Sequence, residues 1–135
     1  MSGYHIKFHD FMVDYVLLQL RKQLGTYVRA VSKIEKTPGT KPDIEVLTKM
    51  TGSAEFETRF IDVTFTSPNN FKNAYNSKIT KHKLLFPTIT PLVFGKNCTM
   101  YSETKKRLQE LRVDIPQIER VLGILVARHY SVCHG

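Results

Sequence analysis

The feature that most constrains this chain is a pair of short strand-like runs that each contain an aspartate. The first reads KPDIEV over residues 41–46, and the second reads IDVT over residues 61–64. An aspartate within such a run is disfavoured by strand propensity and by the loss of hydration on burial. If the two runs pair as neighbouring strands, Asp43 and Asp62 come together, which predicts a site that requires negative charge.

The hydrophobic pattern places these runs in an α/β domain. Three strands joined by short turns follow an amphipathic helix, and a further helix leads to a fourth, strongly apolar strand. Because that strand follows a crossover helix, we expect it to pair in parallel, giving a central mixed sheet flanked by helices. The predicted elements are a helix at 8–24, strands at 27–34, 42–48 and 55–66, a helix that starts at 67–70 and ends near 85, a strand at 88–94, and helices at 102–112 and 115–132.

The length of 135 residues suits a single domain. We expect its core to span residues 8–95, with extra C-terminal helices at 102–132. No apolar run approaches the roughly 20 residues that cross a bilayer. With only two cysteines, Cys98 and Cys133, no disulfide framework is implied, so a reducing compartment is expected.

A lysine stands out on the helix that follows the third strand. The residues at helical spacing that should face the sheet are Phe71, Ala74, Tyr75, Lys78, His82 and Leu85. Lys78 places a positive charge in the middle of this stripe. Facing the two aspartates, it would compensate their charge, either as a buried ion cluster without turnover or as part of a catalytic site.

The two aspartates could bind a hard divalent cation. Mg²⁺ is typically held by one or two carboxylates together with substrate phosphate oxygens, and it would polarise a phosphoryl group. Glu45 shares a strand face with Asp43 by alternation and is either a further ligand or a charge at the rim. His5 and His9 have the i, i+4 spacing of a helical metal pair, but no further ligands nearby are evident, so zinc is not predicted.

The charge distribution favours a nucleic-acid partner. The formal net charge is +8, and residues 64–102 contain no Asp or Glu. Basic residues in this stretch would neutralise DNA phosphates with little sequence preference, although a solvated basic helix face is the alternative. The candidate phosphate contacts are Lys72, Lys81, Lys83 and Lys96. A nucleophilic role for Cys98 is not indicated, because no His–acid partner accompanies it.

These residues together resemble a known family. The order of Glu35, Pro42-Asp43 and Asp62 with a lysine downstream is similar to the PD-(D/E)XK restriction-endonuclease-like fold. More narrowly, the chain resembles the C-terminal endonuclease domain of site-specific non-long-terminal-repeat (LINE-type) retrotransposons. The similarity covers roughly residues 5–125. It includes Phe8-His9-Asp10, the KPDI and IDV strands, Ala74-Tyr75 followed by Lys78-Ile79 and Lys81, and the PLVFG strand at 91–95.

The resemblance implies a Mg²⁺-dependent endodeoxyribonuclease, with Mn²⁺ able to substitute. It implies Asp43 and Asp62 as metal ligands, Lys78 as the catalytic cation with Lys81 as the alternative, and Glu35 as a completing acid. Such domains nick target DNA so that a reverse transcriptase of the same polyprotein can use the 3′ hydroxyl as primer, in the nucleus or nucleoid.

One position departs from the standard motif of the fold. Its lysine stands two residues after the second acid, where this chain has Thr64; in the retrotransposon group the lysine comes from the following helix. Two alternatives therefore stay open, namely a structure-selective junction resolvase and a catalytically inactive nucleic-acid-binding module of the same fold. The sequence leaves the oligomeric state open as well.

Overall fold

The computed structural model describes residues 2–35, 41–97 and 99–134, with side chains over residues 8–128. Residues 36–40, Cys98 and the side chains of His5 and Cys133 lie outside the described residues. The elements are α1 (Ser2–Arg21), β1 (Val28–Lys33), β2 (Ile44–Thr48), β3 (Glu57–Thr66), a short 3₁₀ turn (Pro68–Asn70), α2 (Phe71–His82), β4 (Ile89–Gly95), α3 (Ser102–Glu110) and α4 (Ile115–His134).

The strands form one four-stranded mixed sheet in the order β1-β2-β3-β4. The β1–β2 and β2–β3 pairs are antiparallel, and β3–β4 is parallel with α2 as the crossover. The predicted α/β class, the element order and the extra C-terminal helices are therefore confirmed. The described helices include none that is both long and apolar enough to cross a membrane.

One face of the sheet carries the hydrophobic core. On β2 and β3, alternation sends every second side chain to this face, where Ile44, Val46, Ile61 and Val63 are buried. They form one cluster with apolar residues of α1, α3 and α4. The residues between them, including Asp62, point to the opposite face, which α2 covers in part.

The strand at the edge of the sheet is protected by α3. The buried N–H of Val93 on β4 donates to the Thr104 hydroxyl on α3 at 2.8 Å, and the N–H of Tyr101 donates to the Val93 carbonyl at 3.3 Å. Pro91 lacks an N–H and is tolerated at this edge position. The edge of β4 that does not pair with β3 is therefore covered in part, which hinders its pairing with a strand of another chain.

Several predicted boundaries are wrong. The first helix, expected at 8–24, is Ser2–Arg21. The strand run at 42–48 begins as a regular strand only at Ile44, although the ladder continues through backbone hydrogen bonds of Asp43. The helix expected to end near residue 85 ends at His82. Leu85 is consequently not on the sheet-facing side: it lies in a turn after the helix and is 79% exposed.

Candidate active site

Asp43 lies at the start of β2, where its side chain completes the hydrogen bonding of β3. Its N–H donates to the Ile61 carbonyl at 2.8 Å, and its carbonyl accepts the N–H of Ile34 at 2.9 Å. Its carboxylate Oδ2 accepts the N–H of Val63 at 2.7 Å, beyond the last residue of β3 that pairs with β2. The carboxylate, only 3% exposed, therefore replaces a strand partner and is held in one orientation.

Asp62 lies beside Asp43 and is also buried, at 2% exposure. Burial raises the pKa of Asp62 above its usual range, and the hydrogen-bonding contact with Asp43 and the charge of Asp43 raise it further. Two carboxyl groups in such contact hold either a proton or a cation between them. The start of β2 and the middle of β3 thus create a buried anionic site.

Lys78 of α2 supplies a positive charge to this pair. Its Nζ lies 3.0 Å from Asp62 Oδ2, and its charge counteracts the rise in the pKa of Asp62 without being the largest influence. That oxygen accepts no well-oriented hydrogen bond within the described residues, so the contact is an ion pair rather than an aligned hydrogen bond. Lys81, one turn further, is exposed and forms no ion pair within the described part of the chain. The structure therefore places Lys78, not Lys81, on the acid pair.

His82 is a second α2 residue at the acid pair that the sequence did not single out as a site residue. It is 3% exposed, and its Nε2 lies 3.6 Å from Asp62 Oδ2. Burial lowers the pKa of His82, and the Asp62 charge counteracts this only in part. A neutral imidazole therefore stands beside Asp62. The signal for it was available, because His82 follows Lys78 by one helical turn on the same stripe.

His9 of α1 reaches the pair from the other side. Its Nε2 lies 3.1 Å from Asp43 Oδ2, and its Nδ1 lies 3.1 Å from Oδ1 of the exposed Asp10. Only the imidazolium form donates to both carboxylates. The sequence indicated His9 only as half of an unsupported zinc pair and within the resemblance, because nothing local brings α1 to the start of β2.

An open pocket of about 510 Å³ leads from solvent to Asp43. It lies between α1 and the segments that follow β1 and precede β2, and its polar lining comprises His9, Asp10, Lys33, Glu35 and Asp43. Glu35 lies two residues beyond the end of β1 and is exposed. It shares the pocket with Asp43 but makes no hydrogen bond or ion pair within the described residues.

Thr64 occupies the position where the family motif carries lysine. Alternation along β3 places it on the same sheet face as Asp62. Its Oγ1 is buried and has no hydrogen-bond partner among the described residues. Since buried polar atoms are nearly always paired, this hydroxyl is an open position for a water or a ligand oxygen near the acid pair.

The donors present fit Mg²⁺ better than zinc. Within the described residues no group of three His, Cys, Asp or Glu side chains could hold a metal ion, whereas structural zinc needs four such ligands and catalytic zinc three. Mg²⁺ needs only one or two carboxylates, with waters and phosphate oxygens completing its shell. Asp43 and Asp62 meet that need. Glu45 is exposed and lines a separate shallow groove with Ser32 and Thr58.

The four lysines proposed to contact DNA are all exposed but do not form one cluster. Lys72 and Lys81 are nine residues apart on α2, which is about two and a half turns, so they point in opposite directions. Lys96 follows the carboxyl end of β4, and its N–H donates to the Thr66 carbonyl at 3.1 Å. Lys72 and Lys96 thus lie towards one end of α2, and Lys81 and Lys83 towards the other, with Lys78 between them.

No known family model matches the chain, and a search of curated proteins gives no match.

Proposed function

We propose that this protein is a Mg²⁺-dependent DNA endonuclease that hydrolyses phosphodiester bonds. The observation that carries the proposal is the buried pair Asp43–Asp62 with the Lys78 ammonium 3.0 Å from Asp62. A stable core favours apolar residues at such positions, and burial raises the pKa of Asp62. The simplest function for such an arrangement is to bind a cation together with an anionic substrate.

In this proposal, Asp43 and Asp62 would hold the metal, which would polarise the scissile phosphoryl group and offset its charge. The hydrogen bond from Val63 fixes Asp43 in place, so little reorganisation accompanies binding. Neutral His82 limits the number of positive charges around Asp62, which keeps the site anionic enough for a divalent cation.

Lys78 would act on the substrate. Its side chain is 26% exposed, and its flexible stem lets the ammonium leave Asp62 for a phosphate oxygen when a cation takes its place. There it stabilises negative charge that grows as a water attacks phosphorus and the bond to the 3′ oxygen breaks. The products would be a 5′ phosphate and a 3′ hydroxyl.

The proposed biological setting follows from the resemblance. A nick that leaves a free 3′ hydroxyl is what a reverse transcriptase in the same polyprotein needs as primer, in the nucleus or nucleoid. The two exposed lysine groups at the ends of α2 would bind phosphates on either side of the cut.

A catalytically inactive nucleic-acid-binding module is the second candidate. It is favoured by the same ion pair, because Lys78 already compensates Asp62 without a metal. Thr64 at the motif's lysine position is also consistent with lost catalysis.

Incubation with supercoiled plasmid separates the two. An endonuclease nicks it with Mg²⁺ or Mn²⁺ and not with EDTA, the nicks are extended by a DNA polymerase, and Asp43→Asn abolishes nicking. Glu45→Gln is the matched control, because Glu45 is an exposed carboxylate on the same strand. An intact plasmid with both metals, or equal nicking by Asp43→Asn and Glu45→Gln, contradicts the nuclease proposal.

A further inference from the structure

The most exposed large apolar side chains described lie directly after α2, next to the candidate active site. Leu84 is 93% exposed and Leu85 is 79% exposed, whereas the other exposed apolar side chains are between 36% and 51% exposed. We call Leu84 and Leu85 the leucine tip. Burying these two adjacent side chains against a partner would be favourable for each of them, so together they mark a candidate interaction site.

The leucine tip is held firmly by the residues around it. The N–H of Phe86 donates to the His82 carbonyl at 2.7 Å, and the N–H of Ile89 donates to the Phe86 carbonyl at 3.1 Å. The Phe86 ring packs edge-on against Phe60 of β3, with 4.9 Å between centroids. The turn is thus anchored to the sheet, and the two leucines project from it in a defined place.

The charges around the tip indicate the chemistry of its partner. Lys81 and Lys83 immediately precede the leucines, and both are exposed and without an ion pair within the described residues. The sequence from Thr64 to Ser102 contains no carboxylate. A surface that presents two leucines next to unpaired lysines fits a polyanion that also offers apolar surface, and a DNA duplex offers both through its phosphates and its stacked bases.

The side-chain type favours a duplex over a single strand. Proteins that bind single strands stack bases on aromatic rings, whereas proteins that bend duplexes insert aliphatic or Phe wedges between base steps from the minor groove. The leucine tip follows the end of α2 at His82, which is four residues, or about 6 Å of helical rise, beyond Lys78. With Lys78 at the scissile phosphate, the tip would meet the duplex within a few base steps of the cut, at about 3.4 Å per step.

We propose that the leucine tip is a wedge that inserts into duplex DNA, unstacks a base step beside the cleavage site, and is steered there by Lys81 and Lys83. This inference rests on the proposed function in that it takes DNA as the partner. It adds a pair of residues that makes binding depend on how easily the duplex deforms, and it predicts a preference for flexible pyrimidine–purine steps near the cut.

The test measures base unstacking without cleavage. Duplexes that carry 2-aminopurine at successive positions are titrated with the protein in EDTA. The wild type should increase the 2-aminopurine fluorescence at one or two neighbouring positions. Leu84→Ser/Leu85→Ser should abolish the brightening and weaken binding about tenfold, with an unchanged dependence of affinity on salt. Lys81→Ala/Lys83→Ala should instead reduce the salt slope by about 2.

Leu18→Ser is the matched control, because Leu18 is a half-exposed leucine on α1, at the opposite face of the sheet. The wedge is refuted if no probe position brightens at saturation, or if the tip variant binds and unstacks like the Leu18 variant. It is also refuted if the only effect of the tip substitutions is to dissociate a dimer or to weaken binding to lipid vesicles, because the leucine tip then contacts a second copy of the chain or a membrane.

Failure of the wedge and failure of the proposed function are distinguishable. A protein that nicks plasmid but leaves every probe stacked contradicts the wedge alone. A protein that brightens the probe but never nicks supports the wedge and contradicts the nuclease.

Discussion

Replacing Lys78 with methionine tests how strongly the acid pair depends on its neighbouring cation. Methionine keeps the apolar stem of the side chain and removes the ammonium. In the Lys78→Met variant, Asp62 stays 2% exposed beside Asp43 and loses the charge that lies 3.0 Å away. The protein must then carry two buried carboxyls in contact without the ammonium beside Asp62.

The expected loss of stability depends on how deeply each partner of the ion pair is buried. Removing one partner of a fully buried pair costs about 3–5 kcal/mol. The Lys78 side chain is 26% exposed, so water screens part of the interaction and the expected loss is about 1–3 kcal/mol. A domain of this size has a free energy of unfolding of about 5–15 kcal/mol, and the variant should remain folded.

Urea unfolding at neutral pH and low salt measures this loss in a double-mutant cycle. Lys78→Met and Asp62→Asn are compared alone and together, and we expect a coupling energy of about 1–2 kcal/mol between the two sites. Added Mg²⁺ should stabilise Lys78→Met more than the wild type, because the cation then takes the place of the ammonium.

The control is Lys81→Met, which removes an exposed cation from the same helix and should change stability by less than about 0.5 kcal/mol. A coupling energy near zero, or equal losses for the Lys78 and Lys81 variants, would refute the idea that Lys78 neutralises the acid pair. Equal stabilisation of wild type and Lys78→Met by Mg²⁺ would refute competition between the metal and the ammonium.

Three further predictions concern single contacts. Burial raises the pKa of Asp62 above 3.8, so the folded chain binds a proton that the unfolded chain releases. The stability of the wild type relative to Asp62→Asn should therefore fall as pH rises from about 4 towards neutral. Urea unfolding at several pH values measures this difference. His9→Ala removes the 3.1 Å contact to Asp43 and should lower the unfolding free energy by about 1–2 kcal/mol in the same assay. Thr104→Val leaves the buried N–H of Val93 without an acceptor, which should cost about 1–3 kcal/mol in thermal or urea unfolding.

Each of these has an outcome that contradicts it. A stability difference between wild type and Asp62→Asn that is flat or rises with pH would show that the folded state does not favour protonated Asp62. An unchanged His9→Ala variant would show that Asp43 is held by the strand alone. Thr80→Val, an exposed threonine on α2, is the control for Thr104→Val, and equal effects would show that the edge of β4 does not need the hydroxyl.

The fold could be predicted from the sequence because most strands and helices show the hydrophobic periodicity of their own type. Alternation in β2 and β3 and the 3.6-residue pattern of the helices gave their order, and the pairing of the two aspartate runs follows from one short connection between them. The end of α2 was predicted wrongly because Leu85 continues the stripe of sheet-facing residues, although it lies in a turn and faces solvent.

The site was only partly accessible from the sequence. Asp43 and Asp62 could be identified because an aspartate in an apolar run is costly, and Lys78 because a lysine in an apolar stripe is equally costly. His82 could have been recognised from its position one helical turn after Lys78 on the same stripe. The contact of His9 with Asp43 instead depends on where α1, from a distant part of the sequence, packs on the sheet, and no local pattern fixes that placement. A histidine alone carries no signal, because it is common in both buried and exposed positions.

The most direct test of the central claim is the single-turnover rate of nicking of a labelled plasmid with saturating Mg²⁺, compared between Asp62→Asn and Glu45→Gln. If Asp62 holds the metal, its variant should lose at least about a hundredfold in rate, which corresponds to about 2.7 kcal/mol of transition-state stabilisation, while the Glu45 variant nicks like the wild type. Equal rates for the two variants, or nicking that persists in EDTA, would contradict the account.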